Sequence, residues 1–316
     1  MTMQQEALIV GAQVLMFLLF ILVGIFCVKL KMFTYETGKA LSSFVFSVIT
    51  PCLVINSYQV EYNPDMMQRI WLSIGLAVAF HIVSTSVAFA FIRSRPGYRH
   101  RIERVGVIFS NCGYMAVPLI QATVGAEGVI YSAGFIAIFS VLLWSLGAIV
   151  LQGDKRPPLV KILITPASVG FVVGLMLYRF GIILPGAMGD AVRHISGMNT
   201  PLAMIVIGVF LSKLDFKDTF TDKYIYRAAF LKLIAVPVLL VLLFKAANVA
   251  QWMDRAEKVV MACMLAAACP SAASTTLFPV KLGMDGEYGA KIIAVSTLLA
   301  VITLPAMSYL TNLILM

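Results

Sequence analysis

The chain has 316 residues, of which 60% are hydrophobic and only 12% charged, and its mean hydropathy is +0.94. Soluble domains carry about 25% charged residues, so this composition excludes a soluble globular protein and sets the class as all-helical integral membrane. The formal net charge of +9 does not point to nucleic acid, because the basic residues sit in short loops between apolar stretches.

A spanning helix needs about 20 largely apolar residues. On that measure ten spans are predicted, near residues 7–29, 38–58, 70–92, 102–124, 129–151, 160–183, 191–212, 224–246, 257–280 and 289–313. Almost no chain is left for an extramembrane domain. The opening Met-Thr-Met-Gln-Gln-Glu has no basic region, so the first span is expected to stay in the protein rather than act as a cleaved signal. Five cysteines, Cys27, Cys52, Cys112, Cys263 and Cys269, all fall within spans without metal-ligand spacing and read as small packing residues. No metal or cofactor is expected.

Span two carries Thr50-Pro51 and Asn56, and span seven carries Asn199, Thr200-Pro201. The prolines read first as kinks and the asparagines as weaker site candidates. His81 lies near the middle of span three, where a lone histidine on an apolar helix reads first as a satisfied core residue. Gly170 and Gly174 in span six form a small-xxx-small pattern suited to internal packing or to a dimer. Lys232, two turns into span eight, either snorkels to the surface or faces a cavity.

Spans four and nine are interrupted at mid-depth by polar, proline-bearing stretches, Asn111-Cys112-Gly113-Tyr114-Met115-Ala116-Val117-Pro118 and Cys269-Pro270-Ser271-Ala272-Ala273-Ser274-Thr275-Thr276. Freed backbone groups in lipid cost several kcal/mol each unless satisfied, so such stretches must face protein or a watery cavity. A matched pair in corresponding positions is the best sequence pointer to a transporter's binding site. Gly125-Ala-Glu-Gly128 recurs as Gly283-Met-Asp-Gly286, and Thr50-Pro51 as Thr200-Pro201. Both matches fit one scheme of five spans plus five, residues 1–151 and 160–316, in which an odd span count inverts the second repeat.

Lys and Arg crowd the loops that would share one face: Lys29, Lys31, Lys39, Arg93 to Arg104, Lys155 to Lys161, Lys213 to Arg227, Lys281 and Lys291. The other loops hold only Arg69, Arg179, Arg193, Lys245, Arg255 and Lys258. The positive-inside rule then predicts both termini outside. Tyr58, Tyr62, Trp71 and Trp252 fit an outer aromatic belt, and Tyr224 and Tyr226 an inner one.

If the two breaks meet near the midplane, each second half-helix turns its N-terminus to the centre, where free N–H groups and the dipole favour an anion. Asn111 offers a donor and an acceptor. Ser271, Ser274 and Thr275 either cap a half-helix or bind a ligand. Tyr114 and Met115 read first as packing. All Asp and Glu residues fall in loops or at span ends, which disfavours a cation/proton antiporter and an intramembrane hydrolase. A receptor or purely structural membrane protein would not require two broken helices.

The runs Phe109-Ser110-Asn111-Cys112-Gly113-Tyr114, Val117-Pro118, Thr200-Pro201-Leu202-Ala203, Ala268-Cys269-Pro270-Ser271 and Ser296-Thr297-Leu298-Leu299 with Thr303-Leu304-Pro305 together resemble the auxin efflux carrier family. The resemblance covers nearly the whole chain. It implies the fold shared with bile-acid and sodium/proton transporters, with helices four and nine crossing. It also implies a scaffold of spans 1, 2, 6 and 7, a mobile domain of spans 3–5 and 8–10, and a homodimer through the scaffold. Members move organic anions such as auxin, malate, malonate or lactate, and the crossover residues map onto Asn111, Pro118 and Pro270. The short Gln152–Leu159 connection resembles compact prokaryotic members, which implies a bacterial inner-membrane location. The expected substrate-binding set is Asn111, Gly113, Tyr114, Pro118, Pro270, Ser271, Ser274 and Thr275, with Lys232 and His81 as charge or coupling candidates. The expected partners are a small organic anion and the lipid bilayer.

Overall fold

The structure is a computed structural model that describes residues 3–152, 165–212, 216–282, 284 and 286–315. Most of the Gln152–Leu159 connection, the start of the sixth predicted span, Lys213, Gly283 and Asp285 lie outside the described residues. The described chain runs α1 Met3–Lys29, α2 Tyr35–Ser57, α3 Pro64–Phe91, α4 Arg99–Ile108, α5 Val117–Thr123, α6 Ala126–Gln152, α7 Pro166–Arg179, α8 Gly186–Leu211, α9 Phe216–Thr221, α10 Lys223–Ala246, α11 Ala256–Ala268, α12 Ser274–Lys281 and α13 Glu287–Leu315. Seven of these hold a stretch long and apolar enough to cross a membrane: within α1, and in α2, α3, α6, α8, α10 and α13.

The other three predicted spans differ for identifiable reasons. The stretch 102–124 is divided between α4 and α5, and 257–280 between α11 and α12. Of 160–183, the described helix is Pro166–Arg179.

Local chemistry sets the helix ends. Asn63 caps α3 by accepting from Asp65 N–H (2.9 Å), ahead of Pro64 at the first position. Thr34 with Thr37, and Thr165 with Ser168, form reciprocal caps on α2 and α7. Three of the four π-turns among the described residues, Val45–Ile49, Cys112–Ala116 and Leu231–Ala235, each precede a proline by two residues, Pro51, Pro118 and Pro237; the fourth, Leu143–Gly147, does not. Proline cannot donate an N–H and its ring crowds the carbonyl four residues back, so the preceding turn widens. Pro51 is therefore a bend in α2, with Thr50 Oγ1 donating to the Val45 carbonyl (3.0 Å).

Packing divides the helices. α1 and α8 cross at Gly24 and Gly208, where an added Cβ at either position would sit 2.1 Å from a backbone oxygen of the other helix. Gly170 and Gly174 of α7 pack on α2: a Cβ at Gly170 would meet Pro51 at 2.8 Å, and one at Gly174 the Tyr58 ring at 2.8 Å. This small-residue pattern serves contact within the chain. Tyr58 itself is buried against Phe171 and Tyr178 and is a core residue rather than part of a belt. α11 is buried at every position from Val259 to Ala268, as expected of a helix that is apolar all round.

Ion pairs tie a different set of helices at both ends. At one end, fully buried Glu103 of α4 pairs with Arg95 and with Arg227 of α10 (2.8 Å) and accepts from the Tyr288 hydroxyl of α13 (2.9 Å). At the opposite end, Arg69 of α3 pairs with Asp254 (3.0 Å), and Glu127 of α6 with Arg255 (2.8 Å) and Lys258 (3.1 Å). Every ion pair among the described residues that joins different helices or their flanking loops stays within α3–α6 and α10–α13.

Candidate functional site

The two interruptions meet. Pro270 biases the residue before it to extended backbone, and Cys269 has φ −57° and ψ 151°, so α11 stops at Ala268. Phe109, at φ −105° and ψ 118°, ends α4 with similarly extended backbone, although Ser110 and not a proline follows it. Ser110 and Ser271 then face each other as an antiparallel bridge. Asn111 N–H donates to the Pro270 carbonyl (2.8 Å) and Ala272 N–H to the Phe109 carbonyl (3.0 Å). Two broken helices thus satisfy part of each other's freed backbone, as burial away from water demands.

Side chains complete the repair. Ser271 Oγ donates to Gly106 O (2.8 Å) and its N–H bonds Ser296 Oγ (3.3 Å). Ser84 Oγ donates to Ile108 O (3.3 Å). Lys232 Nζ donates to Ala267 O (3.1 Å) at the carboxyl end of α11 and stands 4.7 Å from the centre of the Phe80 ring. A cation suits the negative end of a half-helix dipole. Lys232 is fully buried, so it does not snorkel to the surface, and it is not among the residues that line the cavity described below; its contact is with the end of α11. Asn199 of α8 donates to Gly113 O (2.7 Å), a carbonyl loosened by the Cys112–Ala116 π-turn.

Beside the crossing lies a cavity of about 160 Å³, bounded by α2, the two breaks, α6 and the start of α12. Its polar wall holds Lys39, Ser42, Ser43, Ser47 and Thr50 of α2, Ser110 and Asn111 of the first break, Ser140 of α6 and Ser274 of α12. Its apolar wall holds Phe46, Ile136, Phe139, Leu143, Trp144 and Phe278, with Trp144 and Phe278 in edge contact at 5.1 Å. Asn111 Nδ2, Ser140 Oγ and Ser274 Oγ are shielded from solvent and make no hydrogen bond among the described residues. Buried polar groups in native structures nearly always have partners; unpartnered ones also occur away from the cavity, at Tyr58, Tyr131 and Thr297, so the pointer to a guest is that these three converge on one space. Among the described residues, Lys39 is the one charged side chain on the wall, and no Asp or Glu is there.

Of the residues singled out in the sequence, Asn111, Gly113, Tyr114 and Ser274 line this cavity. Pro270 and Ser271 build the crossing behind it, Pro118 sits at the second position of α5, and Thr275 is buried near Gly106 and Gly289. His81 lies outside the cavity, its Nδ1–H donating to Ala77 O (2.7 Å) among Phe80, Phe109 and Phe135. Lys39, Ser42, Ser43, Ser47, Ser140 and Trp144 escaped the sequence reading. For Lys39 and the three serines of α2 the available signal was spacing, since positions 39, 42, 43, 46, 47 and 50 make one helical stripe.

A profile for proteins described as membrane transport proteins matches residues 9–160 and 156–308. The chain belongs to this family. Its resemblance to the auxin efflux carriers is thereby established across nearly its full length. A relative from Methanothermobacter thermautotrophicus, described as an uncharacterized transporter, is 23% identical over 307 residues, covering 93% of this chain and 96% of its own. The protein is a multi-pass membrane protein of a transport family.

Proposed function

We propose that this protein is a secondary carrier for a small organic anion, not an enzyme, and that the cavity beside the crossing is its binding site. The carrying observation is the cavity's chemistry: unpartnered donors on Asn111, Ser140 and Ser274, one cation, no carboxylate, and an apolar opposite wall. A carboxylate would take the donors, and its carbon body the aromatic side. The neighbouring half-helix starts add N–H groups and a favourable dipole. A cation/proton antiporter needs an ionisable carboxylate in the site, and the wall has none among the described residues.

Alternating access then moves α3–α6 and α10–α13 against α1, α2, α7 and α8. The ion-pair clusters support this division, since they brace the first group at both ends without reaching the second. The seven long apolar helices, the short α7 and the two broken pairs support ten spans in inverted repeats; the loop charges support both termini outside, and the family resemblance supports a dimer through the second group. The testing experiment is a thermal-shift screen of the purified full chain against acetate, benzoate, malate and succinate, with benzylamine as the cationic control. A carrier of this kind melts higher with at least one carboxylate and not with benzylamine. Stabilisation by benzylamine alone refutes the anion assignment.

A further inference from the structure

Lys39, Ser42, Ser43, Phe46, Ser47 and Thr50 form one stripe along α2, facing the cavity. At about 1.5 Å per residue the stripe is roughly 16 Å long. Lys39 stands at its solvent end, one turn from the start of the helix, and its side chain is 33% exposed. Its Nζ lies 2.9 Å from Glu36 Oε1 and 5.0 Å from the centre of the Tyr35 ring. Glu36 does not line the cavity; its side chain is 77% exposed, on the solvent side of the same turn.

One cation therefore has two possible anionic partners, reached from opposite sides. An exposed pair three residues apart on a helix is weak, because water screens it and two flexible side chains must be held. A carboxylate inside the cavity meets the same ammonium with one side of the pair shielded by protein, where attraction is stronger. We propose that Lys39 is the cation at the cavity mouth that first engages the substrate carboxylate, and that Glu36 competes with the substrate for it. This rests on the carrier reading above. Glu36 holds the Lys39 charge compensated while the mouth waits and swings out to solvent as the substrate arrives. The pair then sets both charge selectivity and affinity, and the deeper donors on Asn111 and Ser274 set the final pose.

The test is calorimetric titration of the detergent-purified full chain with benzoate at low salt, against benzylamine. Glu36→Gln removes the competitor and is expected to tighten benzoate binding by about two- to fivefold, the worth of an exposed pair. Lys39→Gln is expected to weaken it by about tenfold and to flatten its salt dependence. The double variant Glu36→Gln/Lys39→Gln should match Lys39→Gln alone, because Glu36 acts only through Lys39. Both positions are exposed enough that folding should survive, and the melting temperature of each variant checks this. Weaker or unchanged binding in Glu36→Gln overturns the competition, and unchanged binding in Lys39→Gln overturns the mouth cation. Either result in a parent that binds benzoate leaves the carrier reading standing. A parent that binds no acid of the screening panel brings down both.

Discussion

Asn111→Ala and Ser271→Ala separate binding from scaffolding at two residues that sit on either side of one crossing. Asn111 contributes its backbone N–H to the Pro270 carbonyl, and alanine keeps that bond. Its Nδ2 has no partner within the described protein and lines the cavity, so removing the carboxamide breaks no internal side-chain hydrogen bond. The variant should keep its stability to within about 0.5 kcal/mol, as for substitutions that break no internal contact. If the amide donates to a carboxylate, binding loses about 1–3 kcal/mol, which is roughly 5- to 150-fold in Kd. Ser271 is the converse. Its hydroxyl holds Gly106 O at 2.8 Å in a fully buried place and does not reach the cavity. Alanine there leaves a buried carbonyl short of a donor, at about 1–3 kcal/mol of stability. The assay is a thermal melt and a carboxylate titration on both variants. Melting loss for Ser271→Ala with affinity loss for Asn111→Ala fits the structure; the reverse pattern refutes the assignment of these two side chains.

Gly24→Leu should destabilise the bundle by at least about 1–3 kcal/mol, because even its Cβ would overlap the Ile205 carbonyl, and an unchanged melt in detergent would contradict the close α1–α8 crossing. Glu103→Gln leaves Arg95 and Arg227 short of their shared carboxylate; breaking a buried pair costs about 3–5 kcal/mol, and the partial exposure of both guanidiniums brings this toward the lower end. Its expected sign is a lowered melting temperature with carboxylate affinity retained in the folded fraction. Lys232→Met keeps the side-chain volume and removes the cap on Ala267 O; carboxylate affinity should stay within about threefold, and a tenfold loss would return Lys232 to the binding site. Asn199→Leu deletes the bond between α8 and Gly113 O, so transport rate should change more than affinity, as compared in initial-rate uptake and equilibrium titration.

The breaks themselves were legible because their residue chemistry is local. Pro270 stops α11, and the polar run around Asn111 cannot lie against lipid. Their meeting was legible from the matched positions, whereas the backbone register that pairs Ser110 with Ser271 was not, since it depends on tertiary approach. The hydroxyls illustrate the limit most clearly. Ser271 and Ser274 are three residues apart and alike in sequence, yet one bonds Gly106 O and the other faces the cavity. Which of them repairs backbone is decided by the carbonyl opposite, and a sequence does not name it. The Lys232 contact is hidden from sequence for the same reason: its partner is a backbone carbonyl at the end of α11, which no search for acids finds. Lys39 was counted only as a loop cation, although the serines three, four and eight residues beyond it marked the face it shares.

The central claim is that the cavity beside the crossing carries an organic anion through the membrane. Its most direct measurement is uptake of radiolabelled carboxylate by proteoliposomes containing the purified chain, using whichever acid raises the melting temperature most. The account predicts saturable uptake above protein-free vesicles, counterflow from vesicles preloaded with the same acid, and loss of both in Asn111→Ala at substrate levels near the parent's half-saturation. Uptake of an amine instead, or carboxylate uptake that Asn111→Ala, Ser140→Ala and Ser274→Ala all leave at the parent's rate and affinity, would contradict it.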